Sequence, residues 1–305
     1  MRARVLVTGA SGFAGWHLTT ALAPHHDVVG TYLERPIRFE HAAAECVDLS
    51  DEHAARALVR SVRPTAVVHT AALTEPNDCE RRPDAATRAN VTATRNLLQA
   101  LDEAAPDAHL VAFSTDLVYP GDRALSRESD PVGPVMHYGR TKLEAEEAVR
   151  SRRGPSTILR CALLYGPAAP YKGGATGWMR TALERGEPLT LFTDEHRTPV
   201  HVADVVALVT RLLASSSGHG TLNLGGSERL TRFAMGEVLA EAMCAPRELL
   251  HGVPLARSTM AAPRPADVSM RSEAAALLLG RPLLSFQEGV RRRIAASAKS
   301  AEDSS

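Results

Sequence analysis

A chain of 305 residues is long enough to bury a sizeable core in one or two domains, and 44% hydrophobic with 23% charged residues excludes a disordered or fibrous chain. With 35 basic and 35 acidic residues the formal net charge is zero, so no electrostatic footprint for nucleic acid exists, and a local cluster such as Arg291-Arg292-Arg293 does not create one. No run of about 18 apolar residues is present and the first strand begins too early for a signal peptide, so a cytoplasmic protein without a membrane partner is expected.

The chain opens on a short apolar run, Arg4 to Thr8, followed by glycines at 9, 12 and 15 and a helical pattern through Leu18, Leu22 and Ala23. A glycine triplet alone is weak evidence. After a strand and at the start of a helix, however, it has the context of a dinucleotide-phosphate loop. Glycine allows the tight turn, and the helix N-terminus offers free N–H groups to a pyrophosphate. Gly9, Ser11, Gly12, Phe13 and Ala14 are its expected lining; a plain strand-to-helix turn is the alternative. The second strand, Asp27 to Tyr32, runs out into Leu33-Glu34-Arg35. An acid at that tip would bind ribose hydroxyls and select NAD. Tyr32 stands there instead, and the Arg35 guanidinium suits a 2′-phosphate, so NADP is expected while Glu34 keeps NAD open.

Further strands are predicted at Ala44 to Val47, Ala66 to His69, His109 to Ser114 and Ser156 to Cys161. Helices are predicted at Gly12 to Ala23, Asp51 to Arg63, Pro83 to Glu103 and Met136 to Arg152. This alternation argues for a parallel sheet covered on both faces, which binds ligands at the carboxyl ends of its strands. Ala71 and Ala72 follow the fourth strand, where small side chains would let the backbone approach a cofactor. Thr115 and Asp116 follow the fifth; a capping role for the Thr115 hydroxyl is the plain alternative.

Tyr138-Gly139-Arg140-Thr141-Lys142 lies at the start of the fourth long helix. With five tyrosines and three lysines in the chain, about 0.05 such pairs are expected by chance. Residues i and i+4 share a helical face, so the Lys142 ammonium is expected near the Tyr138 phenol, lowering its pKa and making a proton donor usable near neutral pH. The alternative is a solvated helix in which Lys142 pairs with Glu144, Glu146 or Glu147.

Beyond residue 166 the signals thin. Pro167, Pro170, Gly173, Gly174 and Gly177 mark a loop-rich passage with the character of a substrate lid. Arg197 precedes a helix starting near Val202 and suits a pyrophosphate, unless it is simply a surface arginine. Leu222-Asn223-Leu224-Gly225 reads as a further sheet strand, and Phe233 to Met243 as a helix. Arg264-Pro265 lies in a loop leading to the substrate side, and Ala295 to Ser305 reads as a disordered tail. Cys46, Cys79, Cys161 and Cys244 match no zinc spacing and are expected as small core residues; no metal site is expected.

The glycine loop with Tyr-x-x-x-Lys resembles the extended short-chain dehydrogenase/reductase superfamily. Ser114-Thr115-Asp116-x-Val118-Tyr119 and Tyr138 through Glu144 look like its dTDP-4-dehydrorhamnose reductase branch. So do Ala71-Ala72-Leu73-Thr74 through Asp78, Glu80, Pro83 and Asn90, and Arg264-Pro265. The resemblance spans roughly residues 4 to 290. Arg82-Pro83-Asp84-Ala85-Ala86, Asn90-Val91 and the stretch from Arg197 to Val205 also resemble the regulatory β subunit of methionine adenosyltransferase, an NADP-binding partner.

The resemblance implies an α/β Rossmann fold, a doubly wound parallel sheet with a smaller, discontinuous C-terminal substrate-binding region. The nucleotide-binding part would be residues 1–165 with returning segments near 199–225, and the substrate region 166–294. It implies Thr115, Tyr138 and Lys142 as catalytic residues and Asp48 and Leu49, after the third strand, near the adenine, where a plain turn fits almost as well. Thr74, Asp116, Arg197 and Arg264 would meet the substrate, a nucleotide-diphosphate sugar, and a homodimer is compatible. Reduction of a 4-keto-6-deoxysugar is the implied reaction. An epimerase or dehydratase with retained NAD, reduction of a different carbonyl, and a non-enzymatic regulatory subunit remain the alternatives.

Overall fold

The computed structural model describes residues 2–215 and 218–292. The predicted tail from Ala295 to Ser305 lies outside the described residues. The strands are β1 (Arg4–Thr8), β2 (Asp27–Tyr32), β3 (Ala43–Cys46), β4 (Ala66–His69), β5 (His109–Thr115), β6 (Ser156–Cys161), β7 (Leu164–Tyr165), β8 (Leu189–Phe192), β9 (His196–Arg197), β10 (Val200–His201), β11 (Gly220–Leu224), β12 (Leu230–Thr231) and β13 (Leu250–Val253). The helices are α1 (Phe13–Leu22), α2 (Glu52–Val62), α3 (Pro76–Arg81), α4 (Pro83–Thr87), α5 (Ala93–Ala104), α6 (His137–Ser151), α7 (Gly177–Glu184), α8 (Val202–Leu213), α9 (Arg232–Ala242) and α10 (Glu273–Leu279).

Seven strands form one sheet in the order β11-β6-β5-β4-β1-β2-β3, every neighbouring pair parallel. The order reverses at β1, and the carboxyl ends of β1 and β4 lie side by side with Thr8 opposite His69. Such a reversal opens the crevice where doubly wound sheets bind ligands. The fold is therefore the α/β Rossmann architecture that the alternation of strands and helices implies.

Strand side chains alternate between two apolar layers, as the period of two requires. Val5, Val7, Val68 and Val111 pack with Leu18 and Leu22 of α1 and Leu208 and Leu212 of α8. Leu6, Val67, Leu110 and Ile158 pack on the other face with α2, α5 and α6 through Leu58, Leu97, Leu101 and Val149. A third cluster, Met179, Leu183, Leu189, Leu191, Met235, Leu239 and Leu250, belongs to the later part of the chain. Between these clusters α8 and β11 return to the central sheet.

Three local expectations change. The helix predicted from Pro83 to Glu103 is α4, a wide turn over Arg88–Thr92 that carries Asn90, and α5. Gly177 opens α7 instead of belonging to the loop. Cys79 and Cys161 are buried, whereas Cys46 and Cys244 are exposed, Cys46 lying on the edge strand β3 and Cys244 just beyond α9.

Candidate functional site

The loop after β1 turns at Gly9, whose φ is +71°. An added Cβ there would fall 2.7 Å from the Ala71 backbone, so glycine is what lets this loop lie against the one after β4. Gly12 caps α1 with no side-chain acceptor on the first-turn amides. A loop with a free helix N-terminus at its end fits a dinucleotide pyrophosphate, and Ser11, Phe13 and Ala14 flank that point. Ala71 and Ala72 are half-buried beside it, and the Ala71 amide donates to Thr8 Oγ1 at 3.3 Å.

The adenine end is more open. Glu34 and Arg35 are both exposed after β2. The predicted lid folds over this end: the His17 ring meets the Pro167 carbonyl at 3.0 Å, and the Tyr171 hydroxyl donates to the Pro36 carbonyl at 2.6 Å. The Arg35 guanidinium lies 5.7 Å from the Tyr171 ring centroid and 3.5 Å from its carbonyl. The passage expected as a substrate lid thus packs on the side of the nucleotide loop. Asp48 Oδ1 accepts from the Ser50 amide and hydroxyl, both at 2.8 Å, which is a turn-capping arrangement. Leu49 is buried behind it, its carbonyl accepting from Asn96 Nδ2 at 3.0 Å.

The end of β5 and the start of α6 bring Thr115, Tyr138 and Lys142 into one buried site, each under 10% exposed. Gly139 makes this approach feasible, since a Cβ there would fall 2.2 Å from the Leu117 carbonyl oxygen. Asn90 braces the same wall from the wide turn before α5. Its side chain pairs with the Leu73 amide at 2.8 Å and carbonyl at 3.1 Å and donates to Thr141 Oγ1 at 3.0 Å.

The electrostatics depart from expectation. Burial, followed by the Asp116 carboxylate, pushes the Tyr138 phenol well above the usual tyrosine value, and the Thr115 hydroxyl only partly opposes this. Tyr138 therefore keeps its proton at neutral pH, and the expected lowering by Lys142 is not found. Burial also lowers Lys142, to about 8, against the raising effect of Glu146. Lys142 is no solvated partner of Glu144, which pairs instead with Arg95 at 2.8 Å.

On the opposite wall Asp116 is raised to about 6 by burial, with Arg197 opposing. Thr115 Oγ1 donates to Asp116 Oδ1 at 3.0 Å, while Oδ2 has no hydrogen-bond partner among the described residues and lies 3.9 Å from Arg197 Nε. Arg197 is 1% exposed, which excludes the surface-arginine alternative. Its donors reach Glu195 Oε1 at 2.9 Å, the His196 carbonyl at 2.7 Å and the Pro265 carbonyl at 3.3 Å. Arg232 Nε holds Glu195 Oε2 at 2.8 Å, and Arg264 stands 3.9 Å from Glu195 Oε1. Thr74 is exposed in the loop between β4 and α3, away from any hydrogen bond among the described residues.

Asn90, Gly139, Glu195 and Arg232 are parts of this site to which the sequence reading assigned no role. Asn90 and Glu195 act through contacts 17 or more residues away or through a buried ion cluster, for which no periodic signal exists. Among the described residues no group of His, Cys, Asp and Glu is placed to hold a metal ion, and no helix is long and apolar enough to cross a membrane.

Residues 3–299 match the family model described as RmlD substrate binding domain. The chain is similar to methionine adenosyltransferase 2 subunit beta of Pongo abelii, 32% identical over 258 residues that cover 82% of this chain and 75% of the relative. It is also similar to the probable low-salt glycan biosynthesis reductase Agl14 of Haloferax volcanii, 29% identical with 85% and 86% covered. Among solved structures, a dTDP-4-dehydrorhamnose reductase from Bacillus anthracis in complex with NADP superposes with a TM-score of 0.85 at 24% identity, covering 97% of this chain and 100% of the other. That likeness carries the fold.

Proposed function

The chain belongs to the RmlD substrate binding domain family, and on that premise we propose that it is an NADP-dependent reductase of the 4-keto group of a nucleotide-linked 4-keto-6-deoxysugar. The observation that carries the reading is the convergence of Thr115, Tyr138 and Lys142 in one buried site at the carboxyl end of β5. The bound cofactor would supply a hydride to the carbonyl carbon. Tyr138, which holds its proton at neutral pH, delivers it to the carbonyl oxygen, so the ketone becomes an alcohol and the phenol becomes a phenolate. Lys142 is the cation that balances that phenolate, and it carries its charge below about pH 8. Thr115 orients the carbonyl by a hydrogen bond, and Asp116 Oδ2, which lacks a hydrogen-bond partner among the described residues, accepts from a sugar hydroxyl.

Gly9, Ser11, Gly12, Phe13 and Ala14 hold the pyrophosphate in this reading, Ala71 and Ala72 border the nicotinamide side, and Arg35 takes the 2′-phosphate. Arg197 and Arg264 would face the substrate diphosphate. Because Glu195 already occupies Arg197, the less buried Arg264 is the better placed of the two. The experiment is a scan of nucleotide 4-keto sugars with NADPH, following the absorbance of the reduced cofactor. Oxidation of NADPH by one of them, abolished in Tyr138→Phe, supports the reading; no oxidation with any of them ends it.

A second reading draws on the 32% identity to the methionine adenosyltransferase subunit: an NADP-binding partner without turnover of its own. It expects NADPH binding without oxidation, and a partner's activity indifferent to Tyr138→Phe. The intact trio favours the reductase.

A further inference from the structure

Lys142 is 5% exposed and makes no direct ion pair among the described residues. A lysine in such a place needs something to aim it. From β4 it faces His69, whose ring sits 2.7 Å from Thr8 Oγ1 and 3.0 Å from Thr94 Oγ1 and which burial keeps neutral, lowering it to about 3. From β6 it faces Cys161, a thiol that burial pushes up and so keeps neutral. Tyr138 lies one turn before it on α6 and is also neutral, while Asp116 lies beyond Tyr138 at the far side of the site. Of these groups, the carboxylate on the near side is Glu146, one turn after Lys142 on the same helix.

Glu146 is 2% exposed, and it lines a small cavity with Lys142, His69, Thr94 and Ser114. The sheet fixes its position independently of the lysine. Ser114 Oγ donates to Oε1 at 2.5 Å, Arg160 grips both oxygens at 2.8 to 3.3 Å, and Arg150 reaches Oε2 at 2.5 Å. Arg160 is braced in turn by the Tyr119 hydroxyl at 3.0 Å, and that hydroxyl meets Asn223 Oδ1 of β11 at 2.9 Å. A carboxylate held by two strands and by its own helix is a rigid reference point for a flexible ammonium.

We propose that Glu146 is the positioning residue of Lys142, holding the buried ammonium in its protonated form and in a fixed place across their shared cavity. The use of that ammonium rests on the reductase reading above; its positioning does not. Burial disfavours the charged form of a lysine here, and Glu146 opposes that effect. A Glu146 that merely ties α6 to the sheet through Arg160 would govern stability and leave the charge of Lys142 alone.

The chain has three lysines, Lys142, Lys172 and Lys299, so a carbon-13 lysine label yields three signals, assigned with Lys172→Arg and Lys299→Arg. In the wild type the Lys142 signal should change with an inflection near pH 8. In Glu146→Gln that inflection should fall by about one pH unit, and in Glu146→Asp, which keeps the charge but withdraws it, by less. Arg150→Ala, which removes a partly exposed cation from the Glu146 carboxylate, should leave that inflection at or above the wild-type value, and a fall there counts against the proposal. A folded Glu146→Gln with an unmoved Lys142 inflection overturns the proposal. Should that variant not fold, an unmoved inflection in Glu146→Asp does so. The titration needs no substrate, so a failed search for a keto sugar leaves it intact, and an unmoved inflection leaves the reductase reading standing.

Discussion

On the α6 wall of the site, Lys142 faces a carboxylate one turn away with no direct ion pair among the described residues, and Tyr138 keeps its proton because burial, reinforced by Asp116, outweighs the Thr115 hydroxyl. On the β9 wall, Glu195 is gripped by Arg197 and Arg232 with Arg264 close by, and Arg197 has little donor capacity left. The first wall holds groups whose protonation is poised by desolvation; the second gathers three guanidinium groups around one glutamate and leaves Arg264 Nε without a hydrogen-bond partner among the described residues. Poised groups suit proton transfer, which needs a donor ready before substrate arrives. A cluster with more guanidinium than carboxylate suits recognition of an anion, because its glutamate holds the arginines in place while donors remain for a ligand.

The sharpest way to break this comparison is to remove one hydroxyl from the α6 wall. Tyr138→Phe should leave NADPH and substrate binding near wild type while turnover falls by about 10²- to 10⁴-fold, the usual worth of a general acid. Lys142→Met should lower turnover too and also weaken NADPH. The double variant should be little worse than the worse single one, since the two act as a unit. Steady-state rates that multiply in the double variant would mean the two residues work independently.

Gly12→Val tests the loop that feeds this wall. An added Cβ at Gly12 meets only the Gly9 carbonyl oxygen, at 3.1 Å, so the fold should survive. NADPH binding should weaken on the order of 100-fold as the side chain enters the pyrophosphate seat. A folded variant with wild-type NADPH affinity by calorimetry would place the phosphates elsewhere. Arg35→Ala is a milder cut at the open adenine end. It should weaken NADPH by about 1–3 kcal/mol and leave NADH nearly unchanged, as loss of one charge-assisted contact does. Equal losses for both cofactors would mean that Arg35 supports Tyr171 and the loop over it instead of reading a 2′-phosphate.

How far the sequence carried the two walls follows from how local their causes are. The glycine loop and Tyr138 to Lys142 are spelled in a few consecutive residues whose geometry follows from a strand end or a helical turn, and β1, β2, β4 and β6 fall where the apolar runs place them. The role of Asn90 in the wide turn was not legible, because its side chain bonds to Leu73, 17 residues earlier, and to Thr141, 51 residues later. The Glu195 cluster was hidden for the same reason. Its arginines come from positions 197, 232 and 264, and only folding gathers them. The direction of the Tyr138 shift was misjudged because spacing reveals the neighbouring lysine but not the depth of burial, and burial proved the larger effect.

Asp116 stands where the two walls meet, and its stability cost sharpens the comparison with the smallest expected effect. Burial raises its carboxyl from 3.8 to about 6, with Arg197 only partly offsetting. A group whose pKa is raised on folding stabilises the native state when protonated, so that contribution is intact below about pH 4 and is lost as pH rises through about 6. Asparagine has the same shape and no charge to bury. Asp116→Asn should therefore match the wild type in strong acid and exceed it at higher pH, the gap growing by about 1–2 kcal/mol between pH 5 and pH 8, since the value of about 6 already contains the attraction to Arg197. Thermal unfolding at pH 5 and pH 8 reads this as a gap in Tm that widens with pH by a few degrees. A gap that stays constant, or a variant less stable at pH 8, would mean that Arg197 compensates the buried carboxylate fully and that Asp116 belongs with the β9 wall. A widening gap together with weaker substrate discrimination would mark Asp116 as a group held at a cost to stability because its free oxygen has a sugar hydroxyl to meet.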